Sequence, residues 1–192
     1  MNLMKPSRTF ALAAMSLLAG TASAHTGDHG TVTGFAGGLG HPLMGLDHLV
    51  AMIAIGLWAA QQGGRALWAV PAAFVGAMVM GGTLAWSGIT LPHVETAIAL
   101  SVLVLGLLIA TRRQWAVTAG MALAACFAVF HGYAHGLEMP LTSSPALYGL
   151  GFVLATLGLH GLGIAASLIG RHAVQLAGAG IAATGLALIF AL

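Results

Sequence analysis

Long apolar stretches, separated by short polar or glycine-rich breaks, set the pattern of this chain. Six of them approach the roughly 20 apolar residues that a bilayer core requires of a helix. They run from Pro42 to Ala60, Arg65 to Trp86, Pro92 to Ala110, Trp115 to His135, Pro145 to Ile169 and His172 to Leu192. The breaks fall at Gln61-Gln62-Gly63-Gly64, Ser87 to Leu91, Thr111 to Gln114, Glu138 to Ser144 and Gly170-Arg171. Pro42, Pro92 and Pro145 each stand where a helix would open, a position at which the missing N–H is harmless. The expected fold class is all-α: a polytopic membrane protein with six transmembrane helices.

A shorter apolar run, Phe10 to Ala19, follows Lys5 and Arg8 and precedes Ala22-Ser23-Ala24. A basic start, a short apolar segment and an A-x-A site make a secretory signal peptide over residues 1–24. The other reading, an uncleaved first helix, has too short an apolar run behind it. Residues 25–41 then form a His-containing periplasmic leader, and residues 42–192 form the transmembrane domain.

Composition supports the membrane assignment. Of the 192 residues, 59% are hydrophobic and 5% charged, against about 25% charged in a soluble domain. Ten charged side chains cannot cover a water-soluble surface of this size, which excludes a cytosolic enzyme, a nucleic-acid binder and a disordered chain. The formal charge of +2 depends on the N-terminal basic residues. Cleavage after Ala24 leaves Arg65, Arg112, Arg113 and Arg171 against Asp28, Asp47, Glu95 and Glu138. With the new N-terminus outside, every one of these arginines falls in an inner loop, as the positive-inside rule requires. Both termini of the mature chain are then periplasmic.

Helix packing accounts for some of the remaining pattern. Ala73, Ala77, Gly81 and Ala85 recur every four residues and would let another helix approach closely. Gly158, Gly161 and Gly163 are expected to do the same in the fifth span. The single cysteine, Cys126, has no disulfide partner and is expected to be a small buried packing residue.

Ionisable groups are expensive inside a membrane, and those that persist there are usually functional. One cluster is His41-Pro-Leu-Met-Gly-Leu-Asp47-His48, at the outer end of the first span. His41 and His48 are nearly two helical turns apart and would share a face of one helix. Asp47 points about 100° from His48 but can line the same cavity between helices. A second cluster is Phe130-His131-Gly-Tyr133-Ala-His135-Gly-Leu-Glu138, at the outer end of the fourth span. Here i, i+4 and i+7 spacing places two imidazoles and a carboxylate on one stripe. Gly132 and Gly136 clear space beside it. His93 and Glu95 add donors at the outer end of the third span.

Imidazole with carboxylate suits Ni²⁺, Co²⁺, Zn²⁺ or Fe²⁺ better than Cu⁺, and the absence of thiolate partners argues against a closed structural zinc site. The flanking Met44 and Met52 read as apolar lining. His160, deeper in the fifth span, is either an inner relay for an ion or a polar helix–helix contact. His25, Asp28 and His29 would form an ion-capture arm, or simply a polar leader, once cleavage exposes the His25 amine.

The motifs H-x5-D-H and F-H-G-x-A-H-G-x-E resemble those of the HupE/UreJ family of nickel permeases, and the resemblance extends over essentially the whole chain. It implies a bacterial inner-membrane importer of Ni²⁺ or Co²⁺ that supplies hydrogenase or urease maturation. The family's metal-pathway positions carry over to His41, Asp47 and His48, and to His131, His135 and Glu138, with Glu95 a further acidic candidate. The metal is then cargo, and no cofactor is expected. The expected partners are the ion, the lipid bilayer and a cytoplasmic metal chaperone, with homo-oligomerisation left open.

No P-loop pattern is present, so ATP binding of that kind is not expected. Secondary or facilitated uptake is the favoured mechanism. The rival is an intramembrane zinc-dependent hydrolase built from the same His and Asp residues, with zinc activating a water. A haem anchor held by axial histidines and a non-transporting metal sensor are further alternatives.

Overall fold

The computed structural model describes residues 34–192. The expected signal peptide, the start of the leader, and His25, Asp28 and His29 lie outside the described residues. Helix α1 spans Gly34–Gly40, followed by a 3-10 turn at His41–Leu43. Then come α2 (Leu46–Gln62), α3 (Ala66–Trp86), α4 (Val94–Thr111), α5 (Val117–Glu138), α6 (Pro145–Ala166, prolonged by a 3-10 turn to Ile169) and α7 (Arg171–Ala191). Among the described residues there is no strand. The helices α3 to α7 are each long and apolar enough to cross a bilayer, and α1 with α2 makes a sixth candidate bent by 81°. The protein is thus an all-helical, polytopic membrane protein.

The expected first span is therefore not one straight helix opened by Pro42. Proline cannot donate a backbone hydrogen bond, and Pro42 sits inside the 3-10 turn. Gly45 is extended, at φ −97° and ψ 121°, so the long helix begins only at Leu46. Asp47 lies in its first turn, where a carboxylate complements the positive end of the helix dipole. Pro92 likewise precedes its helix, because His93 takes a left-handed conformation (φ 56°) and α4 starts at Val94. Pro145 does open α6.

The Gln61-Gln62 break has a structural use. Four C=O groups at a helix C-terminus lack intrahelical partners. Gln61 Nε2 donates to Ile109 O (3.0 Å) and Gln62 Nε2 donates to Arg113 O (2.9 Å). Gln175 Nε2 from α7 donates to Ala110 O (3.2 Å). These bonds gather the ends of α2, α4 and α7, and with them Arg65, Arg112, Arg113 and Arg171, at one end of the bundle.

Glycines decide which helices touch. A Cβ on Gly132 would overlap the backbone of Met78, and one on Gly81 the backbone of Val129, so α3 and α5 meet backbone to backbone. Gly56 and Gly163 do the same for α2 and α6, and Gly106, Gly178 and Gly185 for α4 and α7. The α3 stripe is used as expected at Gly81 and at Ala85, which meets Gly136. In α6 only Gly163 of the three expected glycines is used; Gly158 and Gly161 face open space, and Gly151 contacts α1 instead. Cys126 is exposed on the outside of α5 rather than buried. Large apolar side chains such as Trp68, Met80, Leu107, Leu150 and Leu162 also face outward, as a lipid-facing surface requires.

Candidate metal site

At the end of the bundle opposite the arginines, the two His motifs converge. His41 is not on the same helix as His48. The bend between α1 and α2 places it in the corner turn and swings it over the end of α5. There His41 Nε2 lies 2.8 Å from Glu138 Oε2. Its ring centroid is 4.9 Å from that of His135. His48, in the first turn of α2, comes within 4.0 Å of His135 and 4.9 Å of His131, centroid to centroid. His131, His135 and Glu138 share one stripe of α5, as their spacing predicts; the face that His41 was expected to share with His48 does not exist, because His41 lies in the corner turn and meets His135 and Glu138 instead.

The carboxylates hold the rings in place. Asp47 Oδ1 accepts the backbone N–H of His48 (2.8 Å) and stands 3.0 Å from His48 Nδ1. Glu138 Oε2 is 3.5 Å from His135 Nδ1, one turn along α5. Carboxylates beside imidazoles fix ring orientation and raise ligand basicity. The C-terminus of α5 adds the negative end of a helix dipole, which favours a cation.

One orienting residue escaped the sequence reading. Ser101 of α4 donates its hydroxyl proton to Ile98 O (2.7 Å). Its oxygen is then free to accept from His131 Nε2, 2.9 Å away. That bond leaves the lone pair on His131 Nδ1, a buried atom with no partner. A serine inside an otherwise apolar span was the available signal. Phe152 was missed as well: its ring lies 4.3 Å from that of His135 and shields the cluster from the α6 side.

Donor geometry fits a divalent ion. His41, His135 and Glu138 each offer a ligand atom, and the three atoms lie within 4.8 Å of one another. Bonds of about 2.0–2.2 Å would need these side chains to rotate around the ion. Both ring nitrogens of His135 are buried without a hydrogen-bond partner. An unpaired buried polar group costs about 1–3 kcal/mol, so these atoms are primed for a ligand.

Exposure falls along the cluster. The side chain of Glu138 is 35% exposed and that of His41 20%, whereas His48 and His135 are 5% exposed and His131 is fully buried. The site is a funnel, open at the carboxylate. His93 and Glu95 make no hydrogen bond or ion pair with it among the described residues, and both are exposed. His160 is buried one layer deeper, its ring 5.3 Å from that of Phe74.

Fold and site together define a helical membrane protein with a buried imidazole–carboxylate cluster near one face. Comparison with known proteins agrees. The family model described as HupE / UreJ protein matches residues 13–188. The chain is also 42% identical over 186 residues to Protein HupE of Rhizobium leguminosarum bv. viciae, covering 94% of this chain and 96% of that protein. No solved structure matches it. The chain belongs to the HupE/UreJ family.

Proposed function

We propose that the chain imports a divalent transition ion, Ni²⁺ or Co²⁺, across a bacterial inner membrane by secondary or facilitated transport, supplying hydrogenase or urease maturation. The observation that carries this reading is the funnel: donors from α5 and the corner turn converge on one point with His48 of α2 beside them, grow less exposed inward, and include buried ring nitrogens without hydrogen-bond partners. Ionisable groups in that setting are functional by default. Family membership raises the same expectation, and no observation favours the hydrolase alternative.

In this reading the cluster faces the periplasm and the four arginines face the cytoplasm, in accord with the positive-inside rule. A hydrated ion meets Glu138 and His41 first. The carboxylate offsets the loss of water around a 2+ charge, and the neutral imidazoles supply directional bonds. His48, His135 and His131 then take the ion deeper. An inside-negative potential favours entry of two charges by about 4.6 kcal/mol per 100 mV. A cytoplasmic metal chaperone receives the ion and completes the gradient. Glu95 and His93 lie off this path, so Glu95→Gln is expected to retain most uptake.

The test is uptake of radiolabelled nickel and cobalt in a host lacking its own importers. Protein-dependent accumulation is expected; its absence from cells that carry the folded protein would sink the transport reading. The pH profile adds a second check. Metal ligands must be deprotonated. Protonation removes the lone pair and adds a like charge, so uptake should decline as the medium is acidified. A flat or rising profile would count against imidazole ligation.

A further inference from the structure

Below the funnel the bundle holds one more imidazole that the cluster does not include. His160 of α6 is 2% exposed, and neither of its ring nitrogens has a hydrogen-bond partner. A leucine would pack this position without leaving two polar atoms unpaired, which costs about 1–3 kcal/mol for each. Among the described residues its aromatic neighbour is Phe74, a fully buried ring of α3. Phe74 stands between two imidazoles: its centroid is 5.8 Å from that of His131 and 5.3 Å from that of His160, and it meets His160 edge to face at 84°.

The route around Phe74 is lined differently from the rest of the core. Thr156 lies one turn outward of His160 on the same face of α6. Its hydroxyl points at the sulfurs of Met52 (3.5 Å) and Met78 (3.8 Å). Met52 is one turn inward from His48, and Met78 is one turn outward from Phe74. Unbranched thioether side chains are adaptable and polarisable, so this layer can rearrange around a passing ion.

We propose that His160 is a second binding station for the transported ion, separated from the outer cluster by the Phe74 ring, which must turn aside for the ion to pass. The proposal rests on the transport reading above. It divides the path into an outer site open to solvent and an inner site that solvent does not reach, with an aromatic barrier between them.

The experiment uses Co²⁺ as probe, because a thiolate ligand gives it a near-ultraviolet charge-transfer band that imidazole and carboxylate do not. His160→Cys is prepared in the full chain carrying Cys126→Ala, so that the introduced thiol is the chain's only one. Co²⁺ titration should produce the thiolate band in His160→Cys and none in Cys126→Ala alone. Visible ligand-field absorption from the outer cluster should appear in both. Ligand-field absorption without the thiolate band would overturn the inner station while leaving the outer site standing. No Co²⁺ absorption in either protein would sink the transport reading itself.

His160→Gln keeps a polar side chain of similar length and guards against a variant that does not fold. Its equilibrium Co²⁺ binding at the outer cluster should stay within about twofold of native, while its uptake falls by at least about tenfold. Native uptake in His160→Gln would overturn the proposal.

Discussion

Replacing His135 with alanine is expected to abolish metal uptake, with affinity falling by more than about 100-fold. His135 is the hub of the cluster. It lies 4.0 Å from His48 and 4.9 Å from His41 between ring centroids, and its Nδ1 is 3.5 Å from Glu138. Neither of its buried nitrogens forms a hydrogen bond, so removing the ring sacrifices the 3.5 Å pairing with Glu138 but no hydrogen bond. The lost contact with Phe152 at 4.3 Å opens a small cavity. His135→Leu fills that cavity without restoring a donor and should be equally inactive. The measurement is initial uptake of labelled nickel, normalised to folded protein in the membrane. If His135→Ala or His135→Leu transported at the native rate, the hub would have to lie elsewhere.

Gly132→Leu should instead destroy the fold, at a cost on the order of 4 kcal/mol or more, the range reached by severe overpacking and backbone strain. A Cβ at Gly132 would run into the carbonyl of Met78, and backbone cannot move aside as a side-chain tip does. This contact fastens α5 to α3 in the same turn that carries His131. Gly158 and Gly161 provide the contrast. They lie within α6 but nothing approaches them within 4 Å, so alanine at either should be tolerated. Thermal unfolding of the detergent-solubilised protein distinguishes the two outcomes. A Gly132→Leu protein as stable as the native chain would mean that the α3–α5 contact is looser than described.

The sequence made the spans readable because solvent dictates them. A segment in hydrocarbon must be apolar for about 20 residues and must satisfy its own backbone. Hence α3, expected from Arg65 to Trp86, is found at Ala66–Trp86, and α7, expected from His172 to Leu192, at Arg171–Ala191. The stripe on α5 was readable for the same kind of reason, since i, i+4 and i+7 share a face in any α-helix. The corner at His41 was not. Its position depends on an 81° bend at Pro42 and Gly45 and on a seven-residue helix too short to show periodicity. Ser101 and Phe152 were hidden because their roles exist only once the assembled bundle brings them, from α4 and α6, to the imidazoles of α5. Hydropathy does not encode those pairings. They follow from which glycines face which backbones, and Gly151 and Gly158 look alike until both helices are in place.

The helix before the corner behaves as a strap. Gly34 N–H is tied to Ser143 Oγ at 3.2 Å, its middle rests on α6 where Gly38 and Gly151 face opposing backbone, and its far end delivers His41 to Glu138. The long helices alone fix the other five members of the cluster. Lifting the strap would thus subtract one donor and widen the mouth while leaving the five long spans α3 to α7 threaded, so the donor count at the mouth and the integrity of those spans depend on different contacts.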